Sequence, residues 1–426
     1  MQVLEGLDAA LAWCSARSTT FDDDVSTAAA ATIADVRARG DAALYDLALR
    51  FDGYAPPSLR LEPEEIEAGA AEVEPALAAA IDLAMDNVAT YYREQPVGDF
   101  RYEKGGASFG MLVRPLDSVG CYVPGGTAPL FSSLIMTAVP ARQAGVSRIA
   151  VATPVRSDAG VPASVLYVAE KLAIDEVYTL GGAQAIAALA LGTESVTKVD
   201  KVVGPGNSHV VAAKRLLYGE VGIESLPGPT ETLVIADESA SVTYVAADLL
   251  AQAEHVGAQP VLVTDSRDLA SAVLAELEGA AQALPDPASA QASLRERGAV
   301  ILVDDLRQAV AVSNAFAPEH LCLLVEDPDA LLPQVRNAGG IFIGDDSPEA
   351  LVDYAAGPSH VMPTAQTARF SSFVNLRDFQ KAIPFMIASR EFVAATGPSA
   401  VTMARAEGLE AHALAVEARL RAYRRR

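Results

Sequence analysis

The sequence predicts an α/β protein: two Rossmann-like domains with parallel sheets covered by helices, a helical N-terminal region and an extended helical C-terminal tail. Three observations carry this. Beyond residue 118, short β-rich runs, glycine turns and helical stretches alternate, as parallel strands with helical crossovers require. The chain has 426 residues, 51% of them hydrophobic, too many for one ordinary core. The first hundred residues are alanine-rich and periodic, which favours helix, and the last fifty return to helix.

In order along the chain, Val25 to Leu49 and Pro63 to Tyr92 read as long helices with acids near their starts. Ser108 to Val113 and Ser118 to Val123 read as strands, the second ending at the turn Pro124-Gly125-Gly126. A first α/β block follows, with strands at Arg148 to Ala152, Val177 to Leu180 and Lys201 to Val203, and a helix around Ala163 to Leu172. A second block has strands at Leu233 to Ala236, Val261 to Val263, Val300 to Val303, Leu321 to Val325 and Ile341 to Ile343. Helices at Ala246 to Glu254 and Leu269 to Leu284 separate some of these. The expected division is an arm over 1–20, a discontinuous domain of 21–118 with 233–374, a second domain over 119–232, and a helical dimerisation tail over 375–426.

A formal charge of −23 repels phosphate backbones, so nucleic acid is not an expected partner. Arg424-Arg425-Arg426 is too short to reverse that and suits the negative end of a last helix. Cys14, Cys121 and Cys322 form neither a disulfide framework nor a CxxC metal pattern. Met1 to Arg17 lacks the basic and apolar regions of a signal peptide, and no run reaches the length of a membrane span. The expectation is a cytoplasmic protein with no membrane partner.

Glycines after strands let backbone N–H groups approach a phosphate at a helix start. Three turns qualify: Pro124-Gly125-Gly126, Gly181-Gly182-Ala183-Gln184 and Gly204-Pro205-Gly206-Asn207. None is a full GxGxxG; the last has His209 at the third glycine position. On spacing alone, dinucleotide binding and plain turn chemistry weigh about equally.

The five histidines divide by context. His209 opens a helix and reads as a cap-region residue. Gln252 and His255 lie three apart on one helix face, where an amide and an imidazole could hold a metal, although the amide is a poor zinc ligand. Glu319-His320 precedes an apolar strand, and a carboxylate beside an imidazole suits acid–base work. Neighbours on a strand point opposite ways, however, which favours a structural role. His360 sits in a loop-like stretch, and His412 reads as a solvated helix residue. Cys322 reads as core. Cys121 has no basic neighbour to lower its pKa, so a catalytic thiol is disfavoured there.

Read together, these segments are specific. The collinear motifs Val119-Gly120-Cys121-Tyr122-Val123-Pro124-Gly125-Gly126, Gly181-Gly182-Ala183-Gln184, Lys201-Val202-Val203-Gly204-Pro205-Gly206-Asn207, Gly228-Pro229-Thr230-Glu231, Gln252-Ala253-Glu254-His255, Ala317-Pro318-Glu319-His320-Leu321 and Gly357-Pro358-Ser359-His360 resemble the histidinol dehydrogenases, from about residue 25 to the end. The resemblance implies a zinc-dependent, NAD-linked oxidation of L-histidinol through L-histidinaldehyde to L-histidine. It implies zinc ligands Gln252, His255, Asp353 and His412, and the acid–base pair Glu319 and His320. Tyr122, Gln184 and Asn207 match NAD contacts. Thr230, His360 and Glu407 match substrate contacts, together with His320 and the four ligands. The tail carrying Glu407 and His412 is expected to complete the site of a partner in a homodimer. Departures are few: Thr230 stands where serine is more usual, His209 replaces an aromatic residue, and Val256 is larger than usual. The rival readings are an aldehyde dehydrogenase using Cys121 and a non-catalytic protein that keeps the fold.

Overall fold

The computed structural model describes residues 1–17, 22–125 and 130–424. Gly126 of the first glycine turn and the terminal Arg425-Arg426 lie outside the described residues. The chain divides into two compact units, one of residues 1–94 and 116–379 and the other of 95–115 and 380–426.

The larger unit contains both parallel sheets. The first has strands in the order Glu176–Tyr178, Arg148–Ala152, Ser118–Tyr122, Lys201–Val203 and Gly222–Ile223. Strand order reverses between Ser118–Tyr122 and Lys201–Val203, so a crevice opens at their carboxyl ends, the usual ligand position in such sheets. The second runs Gln2–Glu5, Ala299–Leu302, Gln259–Thr264, Glu231–Ala236, His320–Leu324 and Gly340–Ile343. Its order reverses between Glu231–Ala236 and His320–Leu324. These strands are buried on both faces, which explains their continuous apolar runs.

Several local expectations change. The helix expected over Val25 to Leu49 is two, Asp23–Arg39 and Asp41–Asp52. Gly40 separates them with φ +56°, and a Cβ there would meet the Glu194 carboxylate at 2.2 Å. That carboxylate caps the second helix by accepting from Asp41 N–H at 2.8 Å. The helix expected over Pro63 to Tyr92 is likewise two, Pro63–Ala70 and Pro75–Arg93. Pro75 lacks the N–H needed to continue the first and pre-sets the start of the second.

The expected grouping of segments also differs. Residues of 23–93, such as Ile33, Leu44, Ile81 and Val88, are buried with Ala150, Val151 and Tyr178 of the five-stranded sheet, not with the six-stranded one. Within the stretch expected as an N-terminal arm, Gln2–Glu5 is an edge strand paired with Ala299–Leu302, and Ala10 and Cys14 of helix Leu7–Ser15 join the core of that sheet. In the smaller unit the tail is only partly helical. Strand Gln380–Ala388 pairs antiparallel with Ala107–Pro115, which pairs with Phe100–Lys104, and helices Arg390–Ala406 and Glu410–Arg424 follow. Among the described residues, no helix is long and apolar enough to cross a membrane.

Candidate active site

The most chemically loaded cavity, of about 370 Å³, lies at the amino ends of the two central strands of the six-stranded sheet, opposite to the usual carboxyl-end rule. Thr230 precedes Glu231–Ala236, and Glu319 precedes His320–Leu324. Because Glu319 lies just outside the strand, it escapes the strand alternation, and both Glu319 and His320 line the cavity. Gln252 comes from the last turn of helix Val242–Ala253 and His255 from the turn after it. Asp353 lies in the last turn of the short helix Glu349–Tyr354, and His360 follows on a loop. Pro205, from the turn after the central crevice of the other sheet, forms part of the wall.

His320 is 3% exposed. Its Nδ1 lies 3.2 Å from the carbonyl oxygen of Glu231, so Nδ1–H donates there and the lone pair is left on Nε2. Among the described residues Nε2 is buried without a hydrogen-bond partner, and it lies 3.8 Å from Asp353 Oδ1. Burial holds the imidazole pKa below its usual value, against the opposing pull of Asp353. The ring is therefore neutral near pH 7 and able to take a proton. Burial pushes Glu319 well above the usual carboxylate range, opposed by the Thr230 hydroxyl and Glu231 N–H. Asp353 is also raised by burial, opposed by His320 and His255. His360 is lowered by burial, and its Nδ1 lies 2.8 Å from Asp353 O, which ties the loop to the helix end.

A chain of polar contacts links these groups. Thr230 Oγ1 lies 2.6 Å from Glu319 Oε2 and 2.9 Å from Gln252 Oε1, and Gln252 Nε2 lies 3.4 Å from Asp353 Oδ2. Among the described residues no three His, Cys, Asp or Glu side chains cluster as metal ligands. The gathered donors here are an amide, an imidazole and a carboxylate.

Tyr122, Gln184 and Asn207 line a second cavity of about 470 Å³ at the carboxyl ends of the five-stranded sheet. Tyr122 is buried, with its hydroxyl accepting from Gly182 N–H at 3.0 Å. Asn207 caps helix Ser208–Leu217, and the exposed His209 is a residue of that helix start. Glu407 and His412 belong to the smaller unit and are exposed on it.

Two carboxylates were not singled out by sequence. Glu349 is fully buried, accepts from Thr232 Oγ1 at 2.9 Å and lies 4.0 Å from His320 Nδ1. In sequence it is one acid at a helix start after Pro348, with nothing to mark it. Glu231 forms a buried ion pair with Arg17, whose guanidinium lies over the Phe316 ring; the Gly228-Pro229-Thr230-Glu231 motif was the available signal.

Cys121 is fully buried in the central strand of its sheet, where burial pushes the thiol up to about 12. A thiol so protonated is no nucleophile. Cys121→Ser is expected to keep turnover within about threefold of the parent; loss of activity in a folded variant would restore the thiol mechanism.

A family model described as histidinol dehydrogenase matches residues 15–420. A histidinol dehydrogenase of Deinococcus radiodurans is 57% identical over 389 residues, covering 91% of this chain and 89% of that protein. One from Rhizobium meliloti is 46% identical over 402 residues, covering 93% and 92%. The crystal structure of histidinol dehydrogenase from Elizabethkingia anophelis matches with a TM-score of 0.95 at 34% identity, over 100% of this chain and 99% of that one. Identity at this level over nearly full length, on the same fold, places the chain in the histidinol dehydrogenase family of enzymes.

Proposed function

We propose that the chain oxidises L-histidinol through L-histidinaldehyde to L-histidine, with two NAD⁺ as hydride acceptors, at a zinc site completed by a second copy of the chain. The observation that carries this is the buried Nε2 of His320, without a hydrogen-bond partner among the described residues, in one cavity with Glu319 and with Gln252, His255 and Asp353.

Hydrogen-bond accounting supports a cation there. The Thr230 hydroxyl has one proton but faces both Glu319 Oε2 and Gln252 Oε1. In the ionised state that Glu319 needs in order to act as base, Thr230 donates to it, and the Gln252 amide would then turn its nitrogen to Thr230. Turned that way, its oxygen would lie beside Asp353 Oδ2, an acceptor pair that suits a cation. Gln252, His255 and Asp353, with His412 from a second copy, would hold zinc, whose chemistry there is to orient the imidazole and amino nitrogens of the substrate.

Tyr122, Gln184 and Asn207 would bind NAD⁺, which accepts a hydride in each half-reaction. Thr230 and His360, with Glu407 from the second copy, would contact the substrate. His320 Nε2 takes the hydroxyl proton as the carbinol C–H leaves as hydride. Glu319 takes a proton from water as that water adds to the aldehyde, and His320 returns its proton to the former carbonyl oxygen, giving the gem-diol and freeing the imidazole. His320 then takes a hydroxyl proton from the gem-diol as its C–H leaves in turn. Enclosing the aldehyde between the two oxidations keeps a reactive intermediate from solvent. Such a biosynthetic reaction fits the cytoplasm.

The full chain given L-histidinol, NAD⁺ and zinc is expected to release two NADH per histidinol, to lose turnover with a chelator and to regain it with zinc. His412→Asn is expected to lower the bound zinc. A single NADH per histidinol, or turnover indifferent to chelation, overturns the reading, and unchanged zinc in the variant removes His412 from the ligand set.

A further inference from the structure

Lys214 and Glu224 form an ion pair at 2.7 Å with side chains 0% and 2% exposed. Lys214 lies in helix Ser208–Leu217, and Glu224 follows the edge strand Gly222–Ile223. Desolvating two charges is costly, and uncharged side chains of similar size are often as stable. Such a pair needs a reason beyond stability, and its contacts supply one. Gly204 N–H donates to Glu224 Oε1 at 2.8 Å, and Lys214 Nζ donates to Gly204 O at 3.1 Å. The ammonium and the carboxylate therefore grip both polar groups of one backbone residue.

That residue starts the Gly204-Pro205-Gly206-Asn207 turn. Gly204 has φ +123°, and a Cβ there would lie 2.2 Å from Tyr122 O, so the turn is pressed against the backbone of Tyr122. Two residues of this turn serve different cavities: Pro205 walls the one containing His320, and Asn207 lines the one containing Tyr122 and Gln184. Asn207 Oδ1 also accepts from His209 N–H at 3.1 Å and Val210 N–H at 3.2 Å, so any shift of the turn displaces its side chain with the helix start.

We propose that Lys214 and Glu224 are positioning residues for the dinucleotide: they hold the Gly204–Asn207 turn in the one conformation that puts Asn207 and Tyr122 on the same cavity wall. This rests on reading that cavity as the NAD⁺ site. Neither side chain lines either cavity, so they act through the backbone.

The test is steady-state kinetics on Glu224→Gln and Lys214→Met in the full chain, with Asn207→Ala beside them. KM for NAD⁺ is expected to rise roughly tenfold in both variants, with a severalfold smaller rise in KM for histidinol, whose cavity the turn touches only through Pro205. A merely structural role would lower the folded fraction, and with it apparent kcat, but leave the ratio of the two KM values unchanged. An unchanged ratio in folded protein overturns the proposal. If a single variant does not fold because one buried charge is left alone, the double variant Lys214→Met with Glu224→Met removes both charges and carries the same test. Asn207→Ala separates the two levels. If it leaves KM for NAD⁺ unchanged, the coenzyme reading of the cavity fails and the proposal with it. If it raises that KM while the pair variants do not, the positioning role alone fails.

Discussion

His320→Asn is expected to lower kcat by two or more orders of magnitude, the usual scale for a lost acid–base group. The loss should be of similar size with histidinol and with histidinaldehyde, because one imidazole serves both oxidations. The structural reason is the asymmetry of the ring. Nδ1 is committed to the Glu231 carbonyl oxygen at 3.2 Å, so of the two ring nitrogens it is Nε2 that keeps a basic lone pair for the cavity. Asparagine can fill part of the space beside the Phe342 ring, whose centroid lies 5.6 Å from that of His320, but it cannot take a proton at neutral pH. KM for histidinol should change far less than kcat, since the ring is one of several substrate contacts but the base in both oxidations. Near-parental turnover in a folded variant would remove His320 as the base.

Glu319→Gln is expected to slow the aldehyde-to-acid half by at least about tenfold more than the alcohol-to-aldehyde half, with aldehyde accumulating. The amide is isosteric and keeps a polar atom near Thr230 Oγ1, which lies 2.6 Å from the native carboxylate, so packing should survive. What is lost is the capacity to take a proton from water. Burial makes Glu319 a stronger base than an ordinary carboxylate, because it raises the affinity of the group for that proton. Separate assays starting from histidinol and from histidinaldehyde check this. Equal slowing of both halves, or a larger effect on the alcohol step, would assign Glu319 to positioning instead of hydration.

The limits of the sequence show in particular residues. Glu319 and His320 look mismatched as neighbours on a strand, yet both reach the cavity because the strand begins at His320 and the residue before it is free to turn. Glu349 carries no mark in sequence, since its closeness to His320 arises only when helix Glu349–Tyr354 packs beneath strand His320–Leu324. Gln2–Glu5 has too few residues for a periodic signal, and its strand identity comes from pairing with residues almost 300 positions away. Strand Gln380–Ala388 is longer, but its partner Ala107–Pro115 is likewise far away in the chain.

The alternation of strand, glycine turn and helix was written in local order, as were the break-prone turns and the collinear motifs that point to histidinol dehydrogenase. These depend on backbone propensity and on neighbours a few residues apart. Which sheet each helix covers, which end of the six-stranded sheet holds the chemistry, which imidazole nitrogen is left to react and which buried pair grips the Gly204 turn were decided by the tertiary structure. Parallel pairing and desolvation join segments far apart in the chain, and no local pattern records which distant group will be next to a side chain once water is gone.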